Sequence, residues 1–235
     1  MLAVTNHTFP REAEATLSKL GHRALRLPPH PMLPAPVASH PDMLLFFAPD
    51  AIYCTKSYTE IAARELHKIS LACGKSIRCI EAEYGSEYPR DVLLNALPMG
   101  KYLLCNTKTV APELTGLGFI PCHVNQGYTK CASLPLGENA IITSDASIAV
   151  QAKRIGMDVL QIAAGHISLP GYDYGFIGGC ASFAPYQKTD IVFFCGDLSQ
   201  HPDAKKIEYF CVSQDTRLVY LSEIRLCDIG TIFMI

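Results

Sequence analysis

AIITSDASIAVQAKRIGMDVLQI, residues 140–162, decides how the rest of the chain is read. It opens with a short apolar run, AIITSD (140–145), that ends in an aspartate, as a buried strand closed by a turn residue does. From Asp145 to Ile155 the apolar residues Ile148, Val150, Ala152 and Ile155 recur near one side of a helix. Gly156 follows the last of them, where a left-handed cap is expected. A second apolar run, DVLQI (158–162), completes a strand–helix–strand unit.

The same grammar recurs on both sides. LAVTN (2–6), LLFFAPD (44–50), YLLCN (102–106) and IVFFCGD (191–197) are further apolar runs closed by Asn or Asp. Helical patterns follow from Pro10 to Leu20, stopping at Gly21, and from Ser57 to Cys73, stopping at Gly74, with Ile61, Ala62, Leu66 and Ile69 on one face. PELTGLG (112–118) offers barely one turn, and the helix around Asp203 to Phe210 is also short. Second strands come next: ALRLP (24–28), SIRCIEA (76–82), GFIPC (118–122) and LVYLS (218–222). Each unit then passes through a Gly/Pro-rich loop into a third short segment: HPDMLLF, YPRDVLL, YTKCASL, GFIGGCASF and CDIGTIFMI.

Strand, helix, strand, loop, strand therefore occurs five times, at about 47 residues per unit, the size of a stacked supersecondary repeat. An open doubly wound sheet would want one helix per strand, and this chain has roughly twice as many strand candidates as helices. The expectation is one α/β domain over residues 1–235, five units around a central channel, with the last strand pairing back to close a ring.

Composition narrows the function. The chain is 235 residues long, 49% hydrophobic and 18% charged, with net charge −2, so it is globular and carries no basic excess for nucleic acid or an anionic membrane. No apolar run is long enough for a membrane span, and the first residues, MLAVTNHTFPREAEA, do not read as a signal peptide. The ten cysteines form no CxxC pair and no zinc spacing, and most lie inside apolar runs. Reduced thiols in a cytoplasmic protein are expected, with no metal and no cofactor. The oligomeric state is left open.

The order of these motifs resembles the pentein superfamily, the α/β propeller of guanidino-group-modifying enzymes, and within it the dimethylarginine dimethylaminohydrolases. The resemblance rests on QGYTKCASLPLGENAIITSDASIAVQAKRIG (126–156), which follows a Gly-x-His-x-Lys segment, a strand, a Gly-x-Asn turn, a second strand and a helix. PDMLLFFAPDAIY (41–53) is similar to the family's Pro-Asp segment, YPRDVLLN (88–95) to its Gly-Gly-Asp-Val-Leu segment, and DIGTIFMI (228–235) to the strand carrying its nucleophile. In that family a thiolate attacks the guanidinium carbon, a histidine moves protons and carboxylates hold the cation.

The resemblance puts Asp42 and Asp91 on the acidic positions, with Asp50 a further candidate. Tyr128 takes the histidine position and Ile232, or at best Thr231, the cysteine position. The expected site is thus a degenerate one. Its ligand-binding set is Asp42, Asp91, Tyr128, Lys130, Asp173 and Asp228, receiving a small polar or cationic ligand without covalent chemistry.

If the chain is an enzyme, it is a hydrolase or amidinotransferase acting on C–N bonds of guanidino or amidino compounds. Its nucleophile would be Cys180, after Gly178-Gly179, or Cys131, with His166 or His123 as base. A propeller that binds a macromolecule without catalysis is the remaining alternative. GHISLPGYDYGFIGG (165–179) suits either a ligand loop using Tyr172, Asp173 and Tyr174 or a glycine-dependent crossover. His40-Pro41-Asp42 is expected to precede a strand, and His201-Pro202-Asp203 to cap a helix.

Overall fold

In the computed structural model, which describes residues 1–186 and 189–235, the strand–helix–strand unit is the building block throughout. The first comprises β1 (Leu2–Thr5), α1 (Arg11–Lys19) and β2 (Arg23–Arg26), followed by α2 (Pro41–Leu44) and β3 (Phe46–Phe47). The second has β4 (Ala51–Thr55), α3 (Lys56–Ile61), α4 (Ala63–Cys73), β5 (Ser76–Ile80) and β6 (Leu97–Met99). The third has β7 (Tyr102–Cys105), α5 (Pro112–Thr115), β8 (Ile120–His123) and β9 (Ser133–Leu136). The fourth has β10 (Ala140–Thr143), α6 (Ala146–Arg154), β11 (Asp158–Gln161) and β12 (Ala181–Ala184). The fifth has β13 (Asp190–Phe194), α7 (Ala204–Ser213), β14 (Thr216–Tyr220) and β15 (Phe233–Met234).

Five three-stranded sheets result, and their membership explains the repeat. In each, the central strand runs parallel to the strand after its helix and antiparallel to the last strand of the preceding unit. The third strand of one unit therefore belongs to the sheet of the next. β15 pairs with β1 through Ala3↔Met234 and Val4↔Phe233, which closes the ring. The short third strands lie innermost, with β12 beside both β9 and β15.

Local chemistry accounts for the elements. Asp145 caps α6 by accepting from the Ile148 amide at 2.9 Å, and the helix buries Ile148, Ala149 and Ala152. Full burial of an aliphatic side chain such as Ile148 contributes about 1.5–3 kcal/mol. Gly74 ends α4 at φ 70°, the left-handed conformation anticipated for it.

Several expectations need correction. In the second unit the strand before the helix is Ala51–Thr55, because residues 44–50 are divided between the end of α2, the two residues of β3 and a turn. YPRDVLL contains no strand, and the pairing falls on Leu97–Met99. Val150 and Ile61 point outward: Ala149 takes the inner position on α6, and the helix after β4 breaks between Ile61 and Ala63. The fifth helix is a full ten residues. His40-Pro41-Asp42 opens α2, with His40 at the N-cap position, and His201-Pro202-Asp203 leads into α7. Asp203 makes no cap bond to its own helix and instead accepts from the Ala163 amide (2.7 Å) and Lys206 Nζ (2.6 Å).

Candidate functional site

Two cavities lie at the centre of the ring, and they share no lining residue. The loops before the inner strands form one, about 230 Å³, lined by Val37, His40, Tyr128, Cys131, Tyr172, Phe176 and Asp228 among others. The inner strands themselves form the other, about 320 Å³, reached by residues of β3, β6, β9, β12 and β15. The partition between them is thin: Asp42 and Lys130 face the strand cavity, and the next residues in sequence, Met43 and Cys131, face the loop cavity.

Asn95 ties the partition together. Its Oδ1 accepts from the amides of Lys130 (2.7 Å) and Cys131 (3.2 Å), while its Nδ2 donates to the Asp42 carbonyl (3.1 Å). The Cys131 thiol donates to Asp42 Oδ2 at 3.0 Å, so this bond crosses from one cavity lining to the other. Burial, with the Asp42 and Asp228 carboxylates next, pushes that thiol's pKa well above its ordinary value. Lys130 Nζ donates to Thr231 Oγ1 (3.1 Å) and the Gly178 carbonyl (3.3 Å). Burial pulls the lysine's pKa down, with Asp42 acting in the opposite sense.

The loop cavity is aromatic and acidic. Tyr128 donates to Asp91 Oδ2 at 2.5 Å, stacks on Phe176 (centroids 6.2 Å apart) and sits against Tyr88. Burial raises the Tyr128 pKa far beyond neutrality, and the Asp91 bond adds to it. Asp91 is 2% exposed, and its Oδ1 has no partner among the described residues. Asp228 accepts from the Phe176 amide (2.8 Å) and the Gly230 amide (2.9 Å), with His40 Nδ1 3.8 Å away. Burial raises the Asp228 pKa, and His40 opposes it. The glycine-rich stretch exists for this carboxyl: a Cβ on Gly179 would overlap the Asp228 side chain. Tyr172, Asp173 and Tyr174 stand exposed at the rim.

The expected residues are thus only partly gathered. Asp91, Tyr128, Asp173, Asp228 and Cys131 meet at or beside the loop cavity, whereas Asp42, Lys130, Thr231 and Ile232 line the strand cavity. Asp50 lies outside both, exposed and paired with Arg78 at 3.1 Å. Cys180 is fully buried in an aliphatic cluster, lines neither cavity and donates to the Ile177 carbonyl. Burial raises its pKa well above the ordinary value. His166 packs edge-on against His201, centroids 5.5 Å apart, and His123 bonds Thr107 from β8, so neither histidine's interactions involve a cysteine. His40 and Asn95 were the residues missed. Their only signals were the His-Pro-Asp tripeptide and the asparagine ending YPRDVLLN.

A family model covering residues 4–233 matches the chain and carries the description "Family of unknown function (DUF6873)". The chain belongs to that family. No curated protein matches it.

Solved structures share the family member's fold. Dimethylarginine dimethylaminohydrolase from Pseudomonas aeruginosa, a variant complexed with citrulline, aligns at TM-score 0.53 and 11% identity over 94% of this chain and 92% of its own. Another dimethylarginine dimethylaminohydrolase, an adduct with S-methyl-L-thiocitrulline, gives 0.52 and 11% over 94% and 92%. C. jejuni agmatine deiminase gives 0.51 and 8% over 94% and 87%. All are pentein proteins, and the five-sheet architecture here is the pentein fold. Among the described residues no helix is long and apolar enough to cross a membrane, and no three His, Cys, Asp or Glu side chains gather to hold a metal.

Proposed function

We propose that the chain, acting as one domain, holds a small planar cation of the guanidino or amidino type non-covalently in the loop cavity. The observation that carries this reading is the pairing of aromatic faces with carboxylates. Tyr128 and Phe176 offer ring faces, and Asp91 keeps a buried oxygen without a partner beside them. A guanidinium gains from both, because its flat cationic face stacks on aromatics and its N–H groups bond carboxylates in plane. The structural neighbours modify guanidino compounds, which agrees with this choice of ligand. Non-covalent binding is favoured because the Cys131 thiol is committed to Asp42 and Ile232 is an aliphatic residue on the other cavity. Tyr128, with its raised pKa, does not exchange protons near neutrality. A cytoplasmic setting fits ten cysteines that are all free.

Thermal melts with agmatine, arginine, methylguanidine and benzamidine test it. Ligand at a hundredfold over Kd is expected to stabilise by about 2.7 kcal/mol. Asp91→Asn and Tyr128→Phe lose most of the gain, and Asp42→Asn, on the far side of the partition, retains it. A flat melt across the panel overturns the reading. In the same samples a haloacetamidine should label Cys131 and Cys180 slowly. Rapid labelling of either, blocked by a guanidine, would replace it with the hydrolase or amidinotransferase alternative.

A further inference from the structure

The strand cavity has the features of a second ligand site. It is larger than the loop cavity, about 320 Å³, and its walls are apolar: Leu45, Phe46, Phe47, Leu97, Ile232 and Phe233. Its floor carries two charged side chains. Asp42 is fully buried, and its Oδ1 has no hydrogen-bond partner among the described residues. A carboxylate oxygen left so is costly unless a donor reaches it.

Lys130 supplies the opposite need. Two of its three N–H groups are spent on Thr231 Oγ1 and the Gly178 carbonyl, which leaves one donor. Both acceptors are neutral, so an anionic group in the cavity complements the lysine, whose pKa burial lowers and Asp42 raises. Asp42 is near enough to act on the ammonium electrostatically, yet the hydrogen bonds of the two groups go elsewhere. A free carboxylate oxygen and a free ammonium N–H thus sit on one floor beneath apolar walls.

We infer that the strand cavity binds an apolar α-amino acid, its ammonium on Asp42 Oδ1, its carboxylate on Lys130 Nζ and its side chain against Phe46, Phe47 and Phe233. Lys75 also lines the cavity, but its Nζ is held by the Ala48 carbonyl at 2.6 Å. Asp42 and Lys130 are therefore the pair left to meet a ligand, and a zwitterion matches both, whereas a ligand with one charge leaves the other group unmatched. Charge-assisted bonds at both ends fix its orientation. The site is distinct from the loop cavity: the two share no lining residue, although the Cys131–Asp42 bond joins their walls.

The chain contains no tryptophan, so Phe47→Trp places a single reporter at this cavity. L-leucine should change its fluorescence saturably. Leucinamide, which lacks the carboxylate, and 4-methylpentanoate, which lacks the ammonium, should each bind at least about tenfold more weakly. Lys130→Met in the same background should abolish the response to leucine. Should Lys130→Met not fold, Leu97→Trp in the wild-type chain replaces it as a cavity-filling variant, and calorimetry should show leucine binding lost. No saturable change with leucine up to its solubility overturns the proposal and leaves a water-filled cavity. Equal binding of all three compounds overturns the ammonium–carboxylate assignment.

Discussion

The two central cavities are made from different material, and the difference shows which parts of a repeat fold carry recognition. The strand cavity is lined by equivalent short strands from five units, so its shape follows from the repeat, and its polar groups are few: Asp42, Lys130 and Thr231 with Lys75 and Ser182. The loop cavity is lined by segments that share no pattern from unit to unit. Those segments carry the tyrosines Tyr128, Tyr172 and Tyr174 with Phe176, Asp228 and His40, and Asp91 lies behind Tyr128. Regular strands satisfy their backbone groups by pairing and leave side chains to fill space. Irregular loops must instead be held by specific contacts, such as Asp228 accepting two backbone amides.

Three substitutions or conditions would break or sharpen this contrast. The largest effect is expected from Gly179→Ala. The added Cβ meets the Asp228 carboxyl, whose oxygens already bind two amides, so the loop must move. A loss of about 3–5 kcal/mol is expected in urea denaturation, with guanidine binding lost in whatever fraction still folds. Unchanged stability would show that the loop cavity is not held together by this close approach.

Thr231→Val acts on the other side of the partition. The hydroxyl accepts from Lys130 and donates to the Ala181 carbonyl at 3.0 Å, and Thr231 sits at φ 70°. Valine is equally β-branched, so backbone strain is matched and the polar loss is isolated. About 1–3 kcal/mol should be lost, while Thr231→Ser stays within about 0.5 kcal/mol of wild type. Equal effects of the two would assign Thr231 a packing role only.

The smallest effect is a pH dependence. His30 is buried, accepts from the Met32 amide at Nδ1 (3.2 Å) and contacts Ser57 Oγ through Nε2 (2.9 Å). It thereby tethers the loop that leads to Val37 and His40. Burial lowers its pKa from the ordinary 6.5, and Glu83 opposes that shift. The unfolded chain therefore takes up a proton that the native ring resists, and stability is full above pH 6.5 and falls as pH drops from there towards the native pKa. Denaturation midpoints should decline over that window and decline less in His30→Gln. Binding at the loop cavity should weaken in acid before binding at the strand cavity. A midpoint independent of pH would remove His30 from the tether.

Much of the architecture was legible because it rests on local signals. Helix stops at Gly21, Gly74 and Gly156 and the cap at Asp145 are short-range chemistry, and five repetitions of one pattern reinforce each other. The misread segments show the limit. LLFFAPD is as apolar as a strand, but Pro41 favours a helical turn ahead of it and β3 keeps only Phe46 and Phe47. Periodicity does not separate a buried strand from a buried turn of helix when the run is this short.

The site divides along the same line. The sequence by itself determined which residue types are available near the axis: the carboxylates of Asp42, Asp91 and Asp228, the phenol of Tyr128, and Thr231 and Ile232 on the last segment. Only the tertiary structure decided which side of the partition each residue serves. Asp42 and Met43 are chain neighbours that line different cavities, as are Lys130 and Cys131, because successive side chains project in different directions from the backbone. Cys180 and His166 appeared close in the sequence, yet one turned into an aliphatic cluster and the other towards His201. Direction at the axis is set by how five units close on one another, a long-range property that no local pattern encodes.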